Sequence, residues 1–190
     1  MNLIINISNM PNIIIKDSNE DIIKYIKVKN VIVDKMENDK QNIELLSKTF
    51  INNVLPMTHI KDSDKLKKCI ENYIQHNIYD IESKQYKILD ISHNDKYYKV
   101  YLSGKVDGFI INDKKKILLK IINKKRFSSL NYYEKIKFEL YLRLYELNKI
   151  ACIQICNHNI FPLYYERDDE LYNNIIIKLK KIVLKFLKNN

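Results

Sequence analysis

Glycine is almost missing from this chain: Gly104 and Gly108 are the only two in 190 residues. No phosphate-cradling glycine-rich loop can be assembled from so few, which removes the nucleotide-binding folds that depend on one. Cysteine is sparse and odd in number, at Cys69, Cys152 and Cys156. This argues against a disulfide framework and for a reducing compartment. No apolar run approaches membrane-spanning length, and the opening MNLIINISNMPNIIIKD carries neither a positive leader nor a small-residue cleavage site. An intracellular protein with no membrane partner is therefore expected. Arginine is rare as well, with Arg126, Arg143 and Arg167 the only three among 33 basic residues.

What the chain has instead is lysine, isoleucine, asparagine and tyrosine. The formal charge is +10, with 46% hydrophobic and 29% charged residues, and the length suits one domain with a real core. A basic excess attracts polyanions, nucleic acid above all. Lys, Asn and Ile also share A/T-rich codons, so a biased genome accounts for part of the charge.

Residues 1–60 read as an N-terminal extension of the same domain, and 61–190 as its main body. LIINI (3–7), NIII (12–15) and VIV (31–33) are β-rich, EDIIKYIK (20–27) is helical in pattern, and a helix is expected over Lys40–Val54, stopped by Pro56. A second helix, capped by Asp62 or Ser63, presents Leu66, Ile70, Tyr73 and Ile74 on one face. The period then becomes two: YKILDIS (86–92) and YYKVYLS (97–103) flank the turn residues HND as a hairpin. The second strand is expected to run through Gly104 into KVDGFIIN, followed by a third, ILLKIIN (117–123). A helix from about Leu130 to Asn148 buries Tyr133, Ile136, Leu140 and Leu144. IACIQIC (150–156) suits a central strand, and a last helix spans Asp168–Leu187 with acids first and lysines last. The fold class expected is mixed α/β, a central sheet flanked by helices.

Both glycines bracket one acid, Asp107, in GKVDG, and the strand ILLKIINKKRF follows, with the helix YYEKIKFELYLRLY after it. This order and these residues resemble the PD-(D/E)XK nuclease superfamily, in particular its RecB-like and viral-type members, and imply a restriction-endonuclease-like core. The resemblance covers roughly residues 62 to 160. It puts Asp107 in the place of the family's strand aspartate and Tyr141 in that of its helix tyrosine. It also implies that Lys120 stands where the family has glutamate, Ile122 where it has its catalytic lysine, and Lys137 where it has glutamine. The family's chemistry is Mg²⁺-assisted phosphodiester hydrolysis, with carboxylates on the metal and a lysine near the attacking water. An ammonium in place of a carboxylate changes the local charge by two units and repels a dication. The expectation is a degenerate site needing no cofactor, with Asp107 and Lys120 paired in the old cleft. The protein would then bind DNA or another nucleic acid, or serve as a subunit of a DNA-handling assembly. Such a domain with A/T-biased composition suits a large DNA virus.

Alternatives stay open. An active enzyme would need Mg²⁺ on Asp107 and Glu71, with Lys135 or Lys137 moved into the site. A protein-interaction module would need no nucleic acid at all. Asp107 can equally be an aspartate accepting backbone hydrogen bonds near a turn. DKKK (113–116) and the neighbouring Lys105, Lys120, Lys124, Lys125 and Arg126 are candidate phosphate contacts, or else solvated lysines. Cys152, Gln154, Cys156 and His158 share a strand face; that spacing reads as a buried strand more readily than as a zinc site. The last helix reads as packed on the sheet more readily than as membrane-bound. The tyrosines are candidate stacking residues for single strands or half-buried sheet residues.

Overall fold

A computed structural model of the chain describes residues 2–16, 25–29, 63–156 and 159–188. The first strand, β1 (Asn2–Asn6), buries Leu3, Ile4 and Ile5 in succession, as an interior strand must. It pairs antiparallel with β2 (Ile26–Lys29) and parallel with β4 (Lys96–Gly104), and β4 pairs antiparallel with β3 (Lys84–His93). The first sheet thus has the order β2-β1-β4-β3.

Two expectations for this region fail. NIII (12–15) lies in a helix, α1 (Met10–Lys16), and not in a strand. Pro11 is the overlooked signal, since the first helical turn has no N–H to lose there. Burial of Ile13 and Ile14 in the core outweighs the weak helix propensity of a β-branched run. Ile26–Lys29 is a strand, where the helical pattern was expected to reach residue 27. Residues 20–24, VIV (31–33), the helix expected over Lys40–Val54 and Asp62 lie outside the described residues.

The second helix, α2 (Ser63–Ile74), is as expected, with Ile70 fully buried, but Tyr73 is exposed. The β3–β4 hairpin is also as expected. Its turn residues Asn94 and Asp95 have φ of 48° and 56°, the mirror-image turn whose twist matches paired strands. The strand after it does not run on unbroken. β4 ends at Gly104, the chain crosses at Lys105–Asp107, and β5 (Gly108–Asn112) begins in a different sheet. There β5 pairs antiparallel with β6 (Lys115–Asn123), β6 parallel with β7 (Lys149–Cys156), and β7 antiparallel with β8 (Asn159–Glu166). β8 was not anticipated because Pro162 sits inside it; on the edge of a sheet a missing N–H costs no ladder bond.

Strand alternation sorts the core into two layers. Leu118, Ile122, Ile150 and Cys152 face the main cluster, shared with α1, α3 (Tyr132–Tyr145), α4 (Asp169–Lys188) and the first sheet. Leu119, Ile121, Ala151, Ile153 and Ile155 face the opposite way, against Ile70 of α2. Within α4, Ile175, Leu179, Ile182 and Val183 are buried, so it packs inward as expected. Among the described residues no helix is long and apolar enough to cross a membrane.

α3 is buried on most of its circumference, and its interior includes a fully buried acid, Glu139. One carboxylate oxygen accepts from Arg143 Nε at 2.7 Å. The other accepts the Asp168 N–H at 2.7 Å and the Tyr165 hydroxyl at 3.3 Å. Arg143 also reaches Asp169 and stacks 4.1 Å over the Tyr172 ring. One helix is thereby fastened to β8 and to the start of α4.

The helix α3 ends at Glu146, whose φ of 57° is left-handed. Gln75, Asp113 and Lys114 adopt the same region, and neither glycine does. A left-handed L-residue costs roughly 1 kcal/mol that glycine does not. Glu146→Gly is therefore expected to raise stability by about 0.5–1 kcal/mol, read as a higher urea midpoint at unchanged slope.

Candidate functional site

Asp107 lies where the chain passes from one sheet to the other, and its surroundings explain both glycines. A β-carbon on Gly104 would come 2.9 Å from the Tyr141 ring and 3.2 Å from Ile7 Cδ1. On Gly108 it would come 2.6 Å from the Tyr79 carbonyl oxygen. The glycines supply room for this chain's own close approaches, not unusual backbone angles. Tyr145 braces the same crossing, donating its hydroxyl to the Glu82 carbonyl at 2.8 Å; burial pushes that phenol up to about 12.

The crossing aims the Asp107 carboxylate at β6. The Asp107 N–H donates to the Leu119 carbonyl at 3.1 Å. Its Oδ2 accepts the Ile121 N–H at 2.6 Å, extending the β5–β6 ladder with a side chain in place of a carbonyl. Oδ1 accepts from Lys120 Nζ at 3.1 Å, with 10% of the Asp107 and 24% of the Lys120 side chain exposed. Lys120 and Ile122 share the α3 side of β6, opposite Cys152 and Gln154 of β7. Ile122 packs against the main core.

From α3 comes Lys137. Burial foremost, and then the charge of Lys120, holds its ammonium below the ordinary lysine range, with Glu134 pulling the other way. Among the described residues it makes neither hydrogen bond nor ion pair. Four residues on, Tyr141 rests on Gly104.

A second acid of this cleft, Glu134, escaped sequence reasoning. Its Oε1 pairs with Lys124 at 2.7 Å, and its Oε2 accepts the Asn131 N–H at 2.9 Å in a capping box that starts α3. The Asn-x-x-Glu spacing at 131–134 was the available signal. Lys124, a candidate phosphate contact, is thus engaged internally and also donates to Ser128 Oγ at 2.8 Å. Lys125 and Arg126 are exposed, and Lys105 is half-buried at the crossing.

Glu71 stands elsewhere: its carboxylate accepts the Ile78 N–H at 2.7 Å, which ties α2 to the segment after it. It makes no described contact with Asp107. Tyr133, expected inside α3, is exposed, as are Phe127 and Tyr132. Cys152 and Cys156 are buried, and burial above all, with the charge of Glu134, pushes the Cys152 thiol up to about 12, toward its protonated form. His158 lies outside the described residues.

Around the crossing the described residues therefore place three lysines, 120, 124 and 137, against two carboxylates whose oxygens are all occupied.

No family model matches the chain, and no curated protein matches it in sequence. Among solved structures it is similar to the exonuclease LHK-Exo in complex with dAMP, at a TM-score of 0.54 and 8% identity, over 97% of this chain and 88% of that one. The alkaline exonuclease LHK-Exo from Laribacter hongkongensis, in another crystal structure, gives 0.48 at 8% identity over 97% and 91%. A phage-related exonuclease from Haemophilus somnus 129PT gives 0.45 at 9% over 97% and 95%. The chain has a mixed α/β fold shared with the nuclease LHK-Exo.

Proposed function

We propose that this chain is a PD-(D/E)XK-type protein whose metal site has been replaced by a fixed cation, and that it binds the phosphate backbone of nucleic acid without cutting it. The observation that carries this reading is the Lys120 ammonium 3.1 Å from Asp107, in the position the resemblance assigns to a metal-binding glutamate. Mg²⁺ is ordinarily held by one or two carboxylates with water and phosphate oxygens completing its shell, and the two carboxylates here are each paired with a lysine ammonium that opposes a dication. Asp107 and Glu134 already have both oxygens engaged, Ile122 offers no polar atom, and no cluster of metal-ligating side chains occurs among the described residues. A half-buried ammonium with no hydrogen-bond or ion-pair partner among the described residues, as Lys137 is, favours an anionic ligand. Such a protein would serve within a DNA-handling assembly.

The test is a mobility shift in EDTA together with a plasmid-nicking assay in Mg²⁺ and Mn²⁺. Retardation in EDTA and no nicking are expected. Nicking that requires metal and disappears in Asp107→Ala would overturn the reading.

Lys137 provides a sharper check. A lysine whose folded pKa lies below its unfolded value of about 10.5 weakens the fold while charged. That penalty is full at neutral pH and fades as pH rises through the lowered folded value toward the unfolded one. Lys137→Met should therefore raise Tm at pH 7 while weakening nucleic-acid binding and lowering the salt-dependence slope by about one. A lysine kept for architecture would do the opposite to Tm and leave the slope alone.

A further inference from the structure

We propose that the loop between β6 and α3, with the first turn of α3, is a stacking platform that selects single-stranded nucleic acid; this rests on the nucleic-acid reading above and specifies the form of strand taken. Three aromatic residues stand in water within seven positions: Phe127 at 48% exposure, Tyr132 at 46% and Tyr133 at 39%. Tyr133 falls where the helical pattern called for core. Flanking them in the chain are the exposed cations Lys125 and Arg126 before Phe127 and Lys135 after Tyr133. Flat apolar rings beside exposed cations suit a ligand with flat apolar faces on an anionic backbone, which is a description of an unpaired strand. A duplex hides those faces in its own stack and offers phosphates and groove base edges instead.

The loop is also held rigid at a cost to the core. Gln154, fully buried in the central strand β7, turns its whole amide to the loop. Its Nε2 donates to the Ser128 carbonyl at 2.8 Å, and its Oε1 accepts the Ser128 N–H at 3.2 Å. From the other side the Lys124 N–H donates to the Ile155 carbonyl at 2.9 Å, and the Lys124 ammonium clamps Ser128 and Glu134. The Phe127 ring leans on Phe161, with centroids 4.7 Å apart, leaving about half its surface open. A loop backbone fixed by a buried amide and an ion pair, with the Phe127 ring set against Phe161, leaves less ordering entropy to oppose stacking.

Fluorescence anisotropy on the full chain in EDTA tests this with three probes of equal length: oligo-dT, a duplex, and a strand of abasic sugar-phosphate. Stacking contributes about 1–3 kcal/mol per base, so oligo-dT should bind at least about tenfold more tightly than the abasic strand. Oligo-dT should also bind more tightly than the duplex. The double variant Phe127→Ala/Tyr133→Ala should lose that advantage and keep its affinity for the abasic strand. Equal affinity of the native protein for oligo-dT and the abasic strand would sink the platform and leave phosphate binding standing. Silence with all three probes would remove the nucleic-acid reading as well.

Discussion

Arg143→Ala is expected to remove about 3–5 kcal/mol of stability, a large share of the roughly 5–15 kcal/mol that holds an ordinary domain folded. The substitution strips the partner from a carboxylate with no access to water. Glu139 is 0% exposed and Arg143 only 9%, so solvent cannot compensate the charge left behind. The loss extends past one ion pair, because the same guanidinium reaches Asp169 and covers the Tyr172 ring. Arg143→Lys should recover little, since a point cation cannot bridge two carboxylates and stack at once. Urea denaturation of the single variants and of Arg143→Ala/Glu139→Ala decides the matter. The double variant should lose less than the two singles combined, by more than about 1 kcal/mol. A loss below about 1 kcal/mol in Arg143→Ala would show that the pair is incidental.

The next largest effect belongs to Gly108. Gly108→Ala is expected to cost on the order of 2–4 kcal/mol, an overpacking penalty plus damage to adjoining hydrogen bonds. The added methyl would lie 2.6 Å from the Tyr79 carbonyl oxygen and 3.0 Å from Ile78 Cγ2. That carbonyl accepts the Phe109 N–H at 2.9 Å, and the Tyr79 N–H returns the bond to Phe109 at 2.9 Å, so backbone retreat breaks the bridge. Gly104→Ala meets only side chains, the Tyr141 ring and Ile7, which shift more cheaply; about 1–2 kcal/mol is expected. The ranking is the test: thermal unfolding in which Gly104→Ala costs more than Gly108→Ala would refute the backbone argument.

These two sites mark what could be read from residues in order and what could not. Elements governed by local pattern were legible: the hairpin around Asn94, the strand at Lys115–Asn123, α3, β7 and α4. So was the meeting of Asp107 with Lys120, because the strand order set it. Glu139 was illegible because its partners Tyr165 and Asp168 lie 26 and 29 residues on. The break between β4 and β5 depends on Tyr141 and Tyr79 arriving from distant segments, and no period in KVDGFIIN records their approach. The Gln154 hold on Ser128 likewise spans 26 residues, and the exposed ring of Tyr133 falls on the same helical period as the buried Ile136, Leu140 and Leu144.

The bond from Ile121 to Asp107 bears on how this fold changes over generations. An aspartate that completes a sheet is held in place by the fold itself, since removing it orphans the Ile121 amide. Its hydrogen bond alone is therefore reason enough for the acid to persist as this sequence drifts.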